Sequence, residues 1–574
     1  MSQIDGGEIL VRMLERANLR VVFTLHGGHL DSVYMAARAH GFQLVDTRHE
    51  QAAVQAGDGW ARTTGQPGVA IVTAGPGVVD AVSGVVNAYV DAIPMLLIGG
   101  APPASEDERL TLAGGFDQVA LMRPVTKWAH RIQDVSRIAD LVAQAIRMAT
   151  TGRPGPVYLE LPIDVAFGTL DEAKAFLPDN IAPDAAPGPS AESVETAVDW
   201  LSQAERPAII AGGGAWFSGA AADLLAFAEQ TQTPVFSNGR AHGMVPADHP
   251  LCGRGVLNLA LLNMTGAGAP DVVLLLGARL GLFTGGGSGR VLPRSTRLIQ
   301  VDIEGAEIGR ERNVDLGIVA DCREALRAFS ASANGRTWPD RAAWTAASRQ
   351  ASEVHRVMFA QALTADAAPI HPYRLADAVV QAVGRDAVVV ADGGETSIWM
   401  ETVSQIYEGG HWLSHGYLAQ LGTGMPFAIA AQVAHPGRRV VCVVGDGSVG
   451  FNFAEFDTMV RHGLPVVVVI NNDAQWGMSA HGQDMIYGKG KRVVTDLAKT
   501  RYDLAAAGFG AHPEHVTEPQ DLVPALERAL ASGLPACVNV MTDPTVVSPV
   551  TTALVEAASE AGLAGEAEGA RYLP

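Results

Sequence analysis

Short runs of aliphatic and β-branched residues alternate along this chain with stretches whose apolar residues return every three or four positions. The first pattern predicts buried strands and the second amphipathic helices. In the first third, helical spacing over Gly6–Ala17, Leu30–His40, Gln51–Thr64 and Val78–Tyr89 alternates with strand-like runs at Val21–Leu25, Phe42–Asp46, Val69–Thr73 and Pro94–Ile98. Gly155–Pro162 closes the series as a further strand. The middle repeats the theme at Ala208–Ala211, Val272–Leu276 and Arg297–Val301. The last third does so at Ala387–Ala391, Val440–Val444, Val466–Ile470 and Ala536–Met541. Strand–helix alternation predicts an α/β protein with three doubly wound parallel sheets. The expected division is 1–176, a Pro/Ala-rich linker 177–190, 191–333, a polar helical linker 334–370, 371–544, and a tail or lid over 545–574. The ending LPACVNVMTDP echoes GRPGPVYLELP, which suggests an internal duplication of the first and third sections.

Composition narrows this picture. At 574 residues, 48% hydrophobic and 18% charged, the chain suits a compact globular protein. A net charge of −20 argues against a nucleic-acid-binding body, and any anionic ligand would need local positive donors. Four scattered cysteines form no CxxC pair, so neither zinc nor a disulfide framework is indicated. The start, MSQIDGGEILVRML, lacks a secretory h-region, and the apolar stretch Pro67–Pro102 is interrupted by Asp80, Asp91, glycines and prolines. A cytoplasmic protein with no membrane partner is the expectation.

The candidate chemistry lies where strands end. Val440–Val444 stops at Gly445-Asp446-Gly447-Ser448, and the next strand stops at Asn471-Asn472-Asp473. Phe453, Phe456, Met459 and Val460 between them carry helical spacing, so the unit reads as strand, Gly-rich turn, helix, strand. Glycines let backbone N–H groups approach a phosphate, and oxygen ligands from two neighbouring strand ends suit Mg²⁺. In the first section the edge beyond the strands collects His26-Gly27-Gly28-His29, Glu50 and Ala74-Gly75-Pro76-Gly77.

Several segments in order then resemble the thiamine diphosphate enzymes of the acetohydroxyacid synthase, oxalyl-CoA decarboxylase and 2-hydroxyacyl-CoA lyase group. They are DTRHEQAAVQAGDGWAR, TAGPG, NAYVDAIPMLLIGG, GRPGPVYLELPIDV, ADGGETSIW, GYLAQLGTGMPFAIAAQ, and GDGS followed by NND. The resemblance implies pyrimidine-binding, central and pyrophosphate-binding domains in that order. It implies that Glu50 bonds the cofactor's aminopyrimidine and promotes loss of the thiazolium proton. Leu421 would lie under the cofactor's bend, with the Ala419 carbonyl facing the ring. Gly394, Glu395 and Thr396 would meet the diphosphate, together with Gly445, Gly447 and Ser448, and Trp476, Gly477 and Met478 would complete the site. Counted from Pro465 or from Met478, Asp473 rather than Asn472 takes the place of the second family asparagine. The expected Mg²⁺ ligands are therefore Asp446, Asp473 and the Gln475 carbonyl, with Asn472 the alternative.

Departures from the pattern bear on substrate. His26 and His29 stand where acetohydroxyacid synthases usually have a proline and a small residue; an imidazole there could move a proton near neutral pH. His49 and His481 are further imidazoles, Phe116 and Gln483 plausible walls, and Gln118 a side chain able to orient a hydroxyl or carbonyl. The Arg–acid segment linked to FAD is replaced by the Gly-rich Arg279–Gly287, which argues against FAD. It suits an ADP or CoA moiety, with Arg279 and Arg290 as phosphate contacts. The leading expectation is a lyase that cleaves a 2-hydroxyacyl-CoA to formyl-CoA and an aldehyde or ketone. The alternative is an acetolactate synthase-like carboligase, a 2-oxo acid decarboxylase or a cyclic dione hydrolase. The resemblance also implies a homodimer or homotetramer.

Overall fold

The computed structural model describes residues 2–106, 109–262, 265–281, 284–285, 289 and 291–560. Three six-stranded sheets organise them. The first holds β1 (Val21–Leu25), β2 (Gln43–Asp46), β3 (Gly68–Val72), β4 (Met95–Ala101), β5 (Trp128–Arg131) and β6 (Pro156–Pro162) in the order β2-β1-β3-β4-β6-β5. The second holds β7 (Pro207–Ala211), β8 (Val235–Ser237), β9 (Cys252–Gly255), β10 (Val272–Leu276), β11 (Arg297–Asp302) and β12 (Leu316–Val319), ordered β9-β8-β7-β10-β11-β12. The third holds β13 (Val388–Asp392), β14 (Trp412–Ser414), β15 (Val440–Gly445), β16 (Val467–Asn472), β17 (His512–Val516) and β18 (Ala536–Met541), ordered β14-β13-β15-β16-β18-β17.

Central strands such as β3, β4, β10 and β15 are buried on both faces, so their sequences read as continuous apolar runs. The strands absent from the hydrophobic reading are edge or near-edge pieces, β5, β8, β9, β12, β14 and β17, which are short and mostly carry polar or small residues. The first and third sheets have the same strand order, taking each from its own first strand, as the echo between their last strands suggests. The second sheet instead has the two-halved doubly wound order.

The chain divides into two compact units. One runs to Val354 and takes in Ile406–Trp412 and Gly416–Leu418; the other comprises His355–Gln405, Leu413–His415 and the chain from Ala419 on. The expected linkers are not free spacers. Leu177 and Ile181 pack on the first core, and Trp344 and Ala351, on the helix Ala342–Met358, are buried in the second.

Within the first unit, the helix Glu50–Thr64 carries a buried ion cluster. Arg62 Nε lies 2.6 Å from Asp58 Oδ1, and its Nη2 lies 2.9 Å from Asp91 Oδ2. Arg240 reaches the same Asp91 oxygen at 3.3 Å, and Asn87 donates to Asp58 at 2.7 Å. Burial works against an ionised Asp91, but Arg62 and Arg240 overcome it and hold its carboxyl at about 2. All four cysteines are buried free thiols: Cys252 and Cys322 in the second sheet's layers, Cys442 in β15 and Cys537 in β18. Burial pushes each thiol up. Among the described residues no helix is long and apolar enough to cross a membrane.

Candidate active site

In the first sheet the parallel strands β1, β2 and β3 deliver His26–His29, Glu50 and Thr73–Gly77 to one edge. His49 caps the helix, its Nδ1 accepting from the Gln51 N–H at 3.1 Å, which places Glu50 in the first turn, where backbone N–H groups favour a negative charge. The Glu50 side chain is buried. Its Oε1 lies 3.4 Å from where a Cβ on Gly77 would stand, and Thr73 Cγ2 lies 2.9 Å from that point. A side chain at 77 would press on Thr73 and touch the carboxylate, so glycine there keeps the two close. His29 Nδ1 pairs with Thr73 Oγ1 at 3.2 Å, so Glu50, Thr73 and His29 share one recess; burial lowers the His29 pKa. His26 is turned away: its Nε2 meets Asp31 Oδ1 at 2.8 Å and its ring lies against Tyr34.

Gln118 differs from the expected role. Its Oε1 accepts from the Gly75 N–H at 2.7 Å, and its Nε2 donates to the Gly100 carbonyl at 3.0 Å and to Glu160 Oε2 at 2.9 Å. Both amide hydrogens are committed to the protein, so Gln118 holds the Gly75 turn and has no donor left to orient a ligand. Its charged neighbour Glu160 is paired in turn with Arg131. Phe116 is exposed.

The second unit carries the cradle at the ends of β13, β15 and β16. Asp392 is fully buried and stitches two turns, accepting from Gly393 N–H at 2.6 Å and from Gly424 N–H at 2.8 Å. Ser448 Oγ accepts from Gly422 N–H and Asn452 Nδ2 donates to the Gly422 carbonyl, so the turn after Leu421 is fastened to the Gly445–Ser448 turn. Ala419 sits in the left-handed region at φ 53°. The helix read between the two strands from Phe453, Phe456, Met459 and Val460 is Glu455–Arg461, and the Gly-rich turn before it contains a single helical turn, Asp446–Val449.

Asp446 and Asp473 press together in this cradle. Burial and the neighbouring Asp473 push Asp446 up to about 8, and burial also raises Asp473. Asp446 Oδ2 is buried without a hydrogen-bond donor. His481 and Arg492 lie within electrostatic reach of Asp473 but no cation acts on Asp446 among the described residues, and two close carboxylates with an orphaned oxygen are a donor set that a divalent cation would satisfy. Asn472 faces elsewhere: its Nδ2 donates to the Thr500 carbonyl and to Asn539 Oδ1, and its Oδ1 accepts from Ala474 N–H at 3.3 Å. Asn471 donates to Thr396 Oγ1 at 2.9 Å, and Met478 packs over Gly394. Trp476 covers Gly447 and meets Phe451 edge to face.

Sequence reasoning missed the partners of Glu395. Its Oε1 accepts from Ser548 N–H at 3.0 Å and Thr551 Oγ1 at 2.6 Å, while Oε2 meets His481 Nδ1 at 2.9 Å. His481 Nε2 lies 2.9 Å from the Pro544 carbonyl, so both ring nitrogens are engaged. Burial opposes a charge on His481, yet Glu395 raises its pKa overall. The helix Pro549–Glu560 thus packs on Gly477–Tyr487 and Gly394–Val403. The carboxylate of Glu395 is spent on this tail, and any contact from residue 395 to a diphosphate falls to its backbone. Gly477 separates this network from the cradle: a Cβ there would lie 2.9 Å from Asp473 Oδ2 and 3.2 Å from Glu395 Oε2. Residues 561–574 of the expected lid lie outside the described residues.

In the second sheet Arg279 donates to the Val90 carbonyl at 3.0 Å, lies near Glu307 and covers the Tyr417 ring. These contacts occupy the guanidinium expected to meet a phosphate. Arg290 and much of the Gly-rich loop lie outside the described residues.

Known proteins fit this arrangement. The family descriptions "Thiamine pyrophosphate enzyme" N-terminal TPP binding domain, central domain and C-terminal TPP binding domain match residues 4–121, 194–329 and 392–540. A probable acetolactate synthase of Mycobacterium bovis is 37% identical over 552 residues, 95% of this chain and 97% of that protein. The 2-hydroxyacyl-CoA lyase 2 proteins of Bos taurus and Homo sapiens are 33% and 31% identical, each covering 88% of this chain and 84% of theirs. With both halves of a thiamine pyrophosphate site matched, and relatives aligned along nearly the whole length, the chain belongs to the thiamine pyrophosphate enzymes, in the group of acetolactate synthases and 2-hydroxyacyl-CoA lyases.

Proposed function

We propose that this enzyme is a Mg²⁺-dependent carbon–carbon lyase that cleaves a 2-hydroxyacyl-CoA to formyl-CoA and an aldehyde or ketone. The observation that carries this reading is His29, fixed by Thr73 in the recess of Glu50 and biased by burial toward its neutral, basic form. Such a substrate must lose its C2 hydroxyl proton as the C1–C2 bond breaks, and a 2-oxo acid has no such proton to give. With Nδ1 on Thr73, the Nε2 atom of His29 takes that proton. The departing carbon becomes the free aldehyde or ketone, and a proton returned to the former thioester carbonyl carbon completes formyl-CoA. Thiamine diphosphate, when bound, supplies the nucleophilic carbon that holds the electrons of the broken bond. Glu50 would hold and exchange a proton with its aminopyrimidine, and Asp446, Asp473 and the Gln475 carbonyl would hold a Mg²⁺ for its diphosphate. We take the assembly to be a homodimer or homotetramer.

Incubation with thiamine diphosphate and Mg²⁺, against a short branched 2-hydroxyacyl-CoA and separately against pyruvate, tests the reading by mass spectrometry. Formyl-CoA with a ketone or aldehyde is the expected product; acetolactate from pyruvate alone would overturn it. That second outcome is the carboligase reading, supported by the 37% identity to a protein named as a probable acetolactate synthase. Cleavage should also weaken toward acid as His29 protonates, below the ordinary imidazole value. Glu50→Gln should lower turnover by roughly 10²–10⁴, and a variant as fast as the parent removes Glu50 from the reaction.

A further inference from the structure

Lysine is rare in this chain: there are five in 574 residues, and three of them, Lys489, Lys491 and Lys499, fall within one short segment. Between Asp484 and Asp503 the chain carries five basic and three acidic residues, against a net charge of −20 overall. Lys489 and Lys491 are exposed, flank Gly490, and make no salt bridge among the described residues. The acid on the preceding helix is already neutralised, since Asp484 Oδ2 lies 2.5 Å from Arg492 Nη2 and Arg492 Nε donates to Asp484 Oδ1. Asp503 is likewise paired with Arg501, which leaves Asp496 as the acid not so paired.

The segment is fastened beside the cradle. Trp476 N–H donates to the Thr495 carbonyl and Leu497 N–H to the Ala474 carbonyl, both at 2.8 Å, and Gln475 bridges antiparallel to Asp496. Arg492 Nη1 also donates to Gln475 Oε1 at 2.6 Å. Residues 492–497 therefore run alongside 474–476, and the two lysines lie between this strip and the C-terminal end of the helix Gly477–Tyr487, whose first turn stands at the cradle. Next to them Val493 and Val494 are exposed, and Val494 is held at φ 58°, a conformation costly for a β-branched side chain. Unpaired ammonium groups beside bare aliphatic surface match a ligand that joins phosphates to an uncharged arm.

We infer that Lys489 and Lys491 bind the phosphates of the substrate's nucleotide end, the class being a phosphate-bearing acyl thioester. This rests on the lyase reading for its substrate, but the binding can be measured without turnover. Calorimetric titration of the holoenzyme with CoA, 3′-dephospho-CoA and ADP should show CoA tightest, with affinity falling as salt rises. In Lys489→Gln/Lys491→Gln, CoA binding should weaken about tenfold and lose most of its salt dependence. KM for a 2-hydroxyacyl-CoA should rise by the same factor at constant kcat. A pantetheine thioester without phosphates should be handled alike by parent and variant. CoA binding that ignores the two lysines, or no CoA binding at all, overturns the inference. Lysine-dependent CoA binding without cleavage of any hydroxyacyl thioester would sustain the inference and sink the lyase reading.

Discussion

Two buried carboxylate pairs in this protein are treated in opposite ways. Asp58 and Asp91 are enclosed with Arg62 and Arg240, and every short contact is an ion pair or a donated hydrogen bond. Asp446 and Asp473 are enclosed with each other; Gln475 donates to Asp473, but among the described residues no arginine or lysine faces Asp446, and one of its oxygens has no donor. A buried charge is tolerated only when it is paired or neutralised. The carboxylates of the first pair are answered by guanidinium groups of the chain itself, which makes the pair architecture. Asp446 in the second has no such counter-charge among the described residues, and that difference is what makes it a candidate site.

The sharpest way to break this contrast is Asp446→Asn. Turnover should fall by about 10²–10³, and the gain in melting temperature that Mg²⁺ gives the parent should vanish, while the metal-free variant should be at least as stable as the metal-free parent. A variant that still gains stability from Mg²⁺ would place the cation elsewhere. Arg62→Met should act the other way, stripping a counter-charge from Asp58 and Asp91 and costing about 3–5 kcal/mol in denaturant unfolding. No added cation should restore it. In the parent, Mg²⁺ with thiamine diphosphate at a hundredfold excess over its dissociation constant should stabilise by about 2.7 kcal/mol, read as a shift in unfolding midpoint.

The pH dependence separates the pairs by sign. Asp91 sits below its ordinary 3.8, so its contribution is present above that value and is lost as the pH falls toward 2. Asp446 sits far above 3.8, so the folded metal-free protein keeps a proton that the unfolded chain releases. Its stability should decline as the pH rises from about 4 toward 8. Saturating Mg²⁺ should flatten that alkaline limb and leave the acid limb unchanged; equal effects on both would erase the distinction.

What could be read from the sequence follows the same division. Central strands announce themselves because burial on both faces demands apolar runs, and the three parallel sheets follow from their alternation with helices. Edge strands such as Trp128–Arg131 and His512–Val516 are half polar and gave no such signal. At the site, the short Gly445–Ser448 turn is local and visible. So is the spacing that singles out Asp473, whereas the bonds of the Asn472 amide to Thr500, Asn539 and Ala474 are seen only in the folded chain. The pairings of Glu395 with Ser548 and Thr551, and of Arg240 with Asp91, join residues some 150 positions apart. No periodicity connects them, so only the folded chain reveals that Glu395 anchors the tail. The contacts of Gln118 with Gly75, Gly100 and Glu160 were hidden for a related reason, since a polar residue near a site looks the same in sequence whether it faces the ligand or the backbone behind it.

The four interior thiols have a practical consequence. A disulfide reagent cannot reach Cys252 or Cys322 until the layers of the second sheet part, nor Cys442 or Cys537 until the third sheet opens. The first sheet, with no cysteine, stays silent. Modification rates at the individual cysteines therefore form a built-in pair of clocks, one for the Rossmann-ordered layer and one for the layer that carries the acid pair. Adding Mg²⁺ with thiamine diphosphate should slow the second clock more than the first.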